Sequence, residues 1–428
     1  MAKGDKAPVK KKVATAVARQ PKATPVIGWK IQQVEYDARV ERVRAELAER
    51  KLDALVLFHP IRMAYVSGFF HLSTERPMAI VIPASGGLGA LIPQLEQEHI
   101  AKSPAVTAVK VYPEYPTGGT KHPMNHLADL LGQMKLTKTG ARIGYDNNGG
   151  LDVNGYDGPD LSEVVSDGVE LVRARDLVDK LRHVKSRAEL DFIIEASVWG
   201  NLAHRLMQER LFLGCHELNV SNEASVEATR MMIAALGPTF QPQTRTLGLP
   251  SANAIYAAGA NTSLPHGLSG GAGLRRGDVL ITYAGAEVGG YTTELERTMI
   301  VGEPNAEFQT RFGQMMTLQQ VAFDALRPGR PLPDVEAEVS GAFKSLGLQE
   351  HQRHHTGHGI GLEGHEAPFI DQGDPTVLAE NMVFSIEPGL YIPGLAGFRH
   401  SDTVVITATG CERLTYYPRD LESMTVLL

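Results

Sequence analysis

Residues 281–300 read ITYAGAEVGGYTTELERTMI. Tyr, Thr, Val and Ile favour extended backbone, and side chains alternate across a strand, so Glu294 and Glu296 share a face with Thr292 and Thr298. Two acids on one face are either the solvated side of a half-exposed strand or a pair of carboxylates lining a site. Around them, segments 244–249, 254–258, 279–283 and 290–301 repeat the strand pattern between Gly and Asn turns. Helical runs stand apart from these strands. Ser186 and Glu189 form a capping box that opens an amphipathic run to Leu211. Further runs cover 217–235, 306–326 and 332–346, with short strands near 382–391 and 403–407. Strands and helices in blocks predict an α+β domain with an antiparallel sheet.

The first half reads differently. Val40, Val43 and Leu47 recur at helical spacing, and strand-like runs at 53–58, 78–83, 109–112 and 142–146 enclose a helical stretch near 126–134. Alternating strands and helices predict an α/β domain. The expected organisation is a basic disordered tail over 1–30, an α/β domain over 31–183 and a larger α+β catalytic domain over 184–428. The tail, MAKGDKAPVKKKVATAVARQPKATP, has no apolar core that a secretory signal needs.

A chain of 428 residues is too long for one ordinary core, which agrees with two domains. Its composition is that of a soluble globular protein, and no apolar run approaches the roughly 20 residues of a membrane span. A net charge of -7 argues against nucleic acid as a partner. Cys215 and Cys411 are the only cysteines, too few for a disulfide framework or a thiolate metal site. A reducing compartment, the cytoplasm, is expected.

Four motifs suggest chemistry. HHTGHGIGLEGHE (354–366) gathers His354, His355, His358 and His365; its glycines disfavour a helix, so a loop or bent strand brings the imidazoles together. SIEPGLY (385–391) sets Glu387 among apolar residues, where a carboxylate needs a partner. NTSLPHG places His266 on a loop at a strand end. FRHSDTVVIT (398–407) enters a β-branched strand with Arg399, His400 and Asp402 at its head. GLSGG (267–271) imitates a nucleophile elbow around Ser269, but neither strand nor helix flanks it, so it reads as a turn.

LPHG, GYTTELERT, GHGIGLEGHE and SIEPGLY in this order resemble the pita-bread family of creatinase, aminopeptidase P, prolidase and methionine aminopeptidase, from about Val34 to the C-terminus. The resemblance implies a pita-bread C-terminal domain whose curved antiparallel sheet cradles the site, and a homodimer. The metallopeptidases of this family hold two ions with two Asp, one His and two Glu. The resemblance places the His on His358, the first Glu on Glu387 and the second Asp on Glu294. Tyr283 and Ser401 stand at the other two positions, and neither readily replaces a bridging carboxylate for a hard ion. Creatinase is the nearer match in site pattern. Its catalytic His falls on His266, its substrate-holding glutamates on Glu296 and Glu387, and a carboxylate-binding arginine on Arg76. A second such arginine has no counterpart near Phe369, and Glu294 is an extra acid.

The expected activity is therefore metal-independent, creatinase-like hydrolysis of an amidino or amide C–N bond in a small carboxylate-bearing substrate. His266 would move protons, Glu296 and Glu387 would orient the substrate, and His358 and His365 would steady developing charge. Arg76, Glu294, Tyr283 and Arg399 would complete the substrate site, with no metal. The alternative is a metallopeptidase acting on Xaa-Pro bonds with one divalent ion on Glu294, His358 and Glu387. A non-catalytic binding homologue is the third reading. No nucleic-acid or membrane partner is expected.

Overall fold

The computed structural model describes residues 29–114, 121–151, 154–243, 250–267 and 270–428. Residues 1–28 of the expected tail, the segment 244–249 and Ser269 lie outside them.

The helix Gln33–Arg50 buries Val40, Val43 and Leu47, the residues at helical spacing. It covers one face of a six-stranded sheet in the order 106–112, 88–93, 79–83, 54–57, 142–145, 170–173. Ala54–Leu57 sits inside this sheet, antiparallel to Ala79–Pro83 and parallel to Arg142–Tyr145. Its residues serve both faces by alternation. Leu55 and Leu57 pack on the side of the first helix, whereas Ala54 and Val56 pack with Leu127, Leu130 and Leu131 of the helix Pro123–Gln133.

The second half forms the expected curled antiparallel sheet, ordered 366–370, 357–359, 383–386, 401–406, 295–301, 279–288, 252–258. The helix Arg187–Gln208, opened by the Ser186–Glu189 capping box, packs against Val279–Val288. Gly200 faces Gly285 there, and a Cβ on Gly200 would stand 3.2 Å from Gly285 Cα, so the missing side chain permits the close approach. Glu217–Leu236 packs on Ala252–Ala258, and Ala306–Ala325 on Val383–Ile386. The other face of the sheet is left for polar side chains.

The strand expected over 290–301 is interrupted. It divides into Tyr291–Thr292 and Leu295–Val301. At the break, Glu294 N–H donates to Thr403 Oγ1 (2.9 Å) and Thr403 Oγ1 donates to Glu294 O (2.9 Å), a side-chain clip in place of ladder bonds. Gly285 makes room for it, since a Cβ there would collide with Thr293 O. After the break Glu296 pairs with Tyr283 on one side and Ser401 on the other, a row across three strands. Among the described residues no helix is long and apolar enough to cross a membrane.

Ion pairs fasten the two halves. Arg39 donates to Tyr291 Oη (3.1 Å), whose hydroxyl donates to Glu189 Oε1 (2.8 Å). Buried Glu366 accepts from Lys185 Nζ (2.8 Å) and from Arg182, which also holds Glu363 (2.8 Å). Burial opposes the charged form of Glu366, but Arg182 and Lys185 outweigh it and hold its pKa at about 2. A pKa depressed in the folded state adds stability above the unfolded value, and that stability is lost as pH falls towards the folded one. From 4.5 to about 2 the contribution is about 3 kcal/mol. Glu366→Gln is therefore expected to be less stable than wild type at pH 7, with a gap that narrows as pH falls below about 4.5. Urea unfolding of both proteins from pH 7 to pH 3 reads it, and a gap independent of pH would contradict the assignment.

Candidate active site

Three buried carboxylates meet on the polar face of the second sheet. Glu294 Oε1 accepts from Ser385 Oγ (2.5 Å) and Ser401 Oγ (2.8 Å), so the serine at the expected ligand position binds the acid rather than replacing one. Glu296 is clamped by Arg399, Nε to Oε2 and Nη2 to Oε1, each 2.5 Å, the fork geometry that only a guanidinium supplies. Arg399 Nε also lies 3.7 Å from Glu387 Oε2. Its Nη1 donates to Tyr391 Oη (2.9 Å) and Pro265 O (3.3 Å). Tyr391 in turn donates to His354 Nε2 (2.8 Å), and His354 Nδ1–H donates to His355 O (2.8 Å).

The electrostatics follow from burial and proximity. Glu294 is raised by burial and then by the Glu387 charge. Glu296 is pushed up to about 8, chiefly by burial, against the pull of Arg399. Glu387 goes the other way. Burial penalises it, but His358 and Arg399 prevail and bring it to about 2. His358 is opposed by burial and raised by Glu387 and Glu294 to about 9. Tyr283, squeezed by burial and by Glu294 and Glu296, stays a neutral phenol.

His358 lies on the short strand Gly357–Gly359, opposite Ser385. Its Nδ1 is 3.0 Å from Gly359 O, which makes Nδ1 the donor and leaves Nε2 turned inward. That Nε2 is buried and has no hydrogen bond, although Glu387 Oε1 is 3.3 Å away. His365 stacks on His358 with ring centroids 3.6 Å apart. Burial and His358 lower it to about 4.

These groups open into a pocket of about 580 Å³, within the range of small-molecule sites. His266, Tyr283, Glu294, Glu296, His365, Glu387 and Arg399 line it. His358 stands just behind Glu387. Arg76 is not brought there. It bonds Glu114 (2.8 Å) and Glu75 (2.5 Å) in the first domain. His400 and Asp402 are not brought there either. His400 Nδ1 accepts from Thr298 N–H (3.0 Å), and Asp402 pairs with fully buried Arg297 (2.9 Å), so both are structural. Reading the sequence missed Ser385 and Tyr391, although SIEPGLY carries both. It also missed the apolar wall of Leu218, Ile255, Leu264 and Ile281, which comes from a helix, a loop and two strands.

Among the described residues two groups of side chains could hold a metal ion, Glu294–His358–His365 and Glu294–Glu296–Glu387, each with ligand atoms within 4.8 Å of one another. They share Glu294. A buried imidazole nitrogen set against carboxylates, with its other nitrogen fixed on a backbone carbonyl, is the arrangement of a metal-ligating histidine. The donor set suits a borderline divalent ion such as Zn²⁺, Mn²⁺ or Co²⁺. The residues fit.

Comparison with known proteins agrees. Residues 193–408 match Metallopeptidase family M24, and residues 39–184 match the Creatinase/Prolidase N-terminal domain. The Xaa-Pro dipeptidase of Pyrococcus furiosus is 29% identical over 383 residues, covering 90% of this chain and 99% of that protein. The probable dipeptidase PepE of Mycobacterium tuberculosis is 30% identical over 387 residues, covering 90% and 96%. The crystal structure of dipeptidase PepE from Mycobacterium ulcerans superposes with a TM-score of 0.76 at 27% identity, over 93% of this chain and 100% of that one. The protein is a hydrolase of C–N bonds. Two expectations are overturned by these matches. The metal-independent creatinase-like activity gives way to the metallopeptidase reading, and the expectation of no metal falls with it. Tyr283 and Ser401 argued against metal only position by position, whereas the fold assembles imidazole and carboxylate donors around Glu294.

Proposed function

We propose that this chain, which belongs to metallopeptidase family M24, hydrolyses Xaa-Pro dipeptides with a divalent metal. The observation that carries the reading is His358 Nε2, buried, turned inward and 3.3 Å from Glu387 Oε1. Glu294 would hold the metal together with His358 and His365, or with Glu296 and Glu387. When bound, it supplies Lewis-acid polarisation of the scissile carbonyl and a more acidic water. His266, exposed at the pocket mouth, takes a proton from the attacking water and returns it to the leaving imide nitrogen. Arg399 fixes Glu296 and draws Glu387 to its side, so neighbouring carboxylates keep separate positions. Leu218, Ile255 and Leu264 offer the pyrrolidine ring an apolar wall.

The test is an assay of purified protein, loaded with Mn²⁺, Co²⁺ or Zn²⁺, on Xaa-Pro dipeptides beside Xaa-Ala controls. Free proline should appear, with the controls cleaved far more slowly. Failure on every Xaa-Pro dipeptide with each metal would sink the reading. We propose the cytoplasm and a homodimer as its setting, from the family resemblance and two free cysteines; sedimentation reads the second.

A further inference from the structure

Tyr283 stands where the family resemblance has a metal-ligating aspartate, and the site gives it different work. It lines the pocket beside Glu294 and Glu296, and sits in register with Glu296 across the strands. Its ring leans along its own strand over Gly285, where a Cβ would come within 3.1 Å of Tyr283 Oη. Three of the four nearby carboxylate oxygens are already engaged. Both oxygens of Glu296 take Arg399, and Glu294 Oε1 takes two serines. Among the described residues the Tyr283 hydroxyl makes no hydrogen bond, so its hydrogen is available to whatever fills the pocket. Several other donors there are spent on protein. Arg399 gives to Glu296, Tyr391 and Pro265, Tyr391 to His354, Thr262 to Gly259 and Thr282 to Arg297.

A site crowded with carboxylates stabilises positive charge. Amide hydrolysis builds negative charge on the carbonyl oxygen, and a neutral donor aimed at that oxygen adds to the polarisation a bound metal would supply. We propose that Tyr283 donates its phenolic hydrogen bond to the carbonyl oxygen of the scissile bond as that oxygen becomes an oxyanion, a role that rests on the peptidase reading. As the water oxygen bonds to the carbonyl carbon, the π pair moves onto the carbonyl oxygen, and Tyr283 keeps its proton while bonding to it. Collapse re-forms the carbonyl and breaks the C–N bond, and the leaving nitrogen takes its proton from His266.

Tyr283→Phe keeps the ring and removes only the donor. Its kcat on an Xaa-Pro dipeptide should fall by roughly 10²–10³-fold with KM changed by less than about threefold. Metal content and unfolding midpoint should match wild type. Activity within about threefold of wild type would overturn the assignment and leave the peptidase reading intact. A fall accompanied by lost metal would also overturn it, by making Tyr283 a ligand. If Tyr283→Phe does not fold, 3-fluorotyrosine at position 283 preserves shape and sharpens the donor; kcat should change, and an unchanged kcat overturns the proposal. A wild-type protein inactive on all Xaa-Pro dipeptides refutes the peptidase reading, and the assignment of Tyr283 falls with it.

Discussion

Dialysis against a strong chelator will abolish proline release from Xaa-Pro dipeptides, and added Mn²⁺, Co²⁺ or Zn²⁺ will restore it. Three carboxylates within a few ångströms are balanced by one guanidinium, and that guanidinium is committed to Glu296. Glu387 and Glu294 raise His358 to about 9 despite burial, and the same acids attract a divalent cation. Metal binding displaces the proton on His358, so loading should weaken as pH falls and imidazole and cation compete. Lewis-acid stabilisation is worth several kcal/mol, so the apoenzyme should be at least roughly 10³-fold slower. His358→Ala removes the inward nitrogen and should lose metal in parallel with activity. Elemental analysis paired with kinetics reads both. Full activity in protein stripped of metal would overturn the metallopeptidase assignment.

The architecture was legible because periodicity reports burial. Val40, Val43 and Leu47 at helical spacing and the Ser186–Glu189 box marked helices that the structure contains. Glu294 and Glu296 were legible as neighbours, but their cause was not. They meet through a clip at Thr403 and a bare Gly285, contacts 109 residues away and across a strand, which no local pattern encodes. The metal was misread for a related reason. A position-by-position comparison weighs Tyr283 and Ser401 as losses, yet Ser401 bonds Glu294 and steadies it for another role. Asp402 illustrates the converse. It sits in a chemically suggestive motif and is consumed by Arg297, Gln319 and Thr415 inside the core. A charged residue in a motif becomes functional only when packing leaves it unspent.

His266→Ala will lower kcat on Xaa-Pro dipeptides by roughly 10²–10⁴-fold while the protein stays folded. The backbone around His266 is built to present it. A 3₁₀ turn, Gly259–Ser263, leads into the loop, and Gly267 N–H donates to Leu264 O (2.9 Å). A Cβ on Gly267 would stand 2.7 Å from Asn261 O, so the residue after the histidine must be bare for the turn to close. Pro265 O accepts from Arg399 Nη1 (3.3 Å), which ties the loop to the carboxylate cluster without touching the imidazole. The ring itself is exposed, so its removal opens no core cavity and the unfolding midpoint should not move. Its rival for proton transfer is His365, which stacks on His358. Lowered to about 4 by burial and by His358, His365 is a weak base for taking a proton from water near neutrality. Exogenous imidazole should partly rescue His266→Ala and leave His365→Ala unaffected. A His266→Ala enzyme with wild-type kcat would pass the proton to His365 and reverse the assignment.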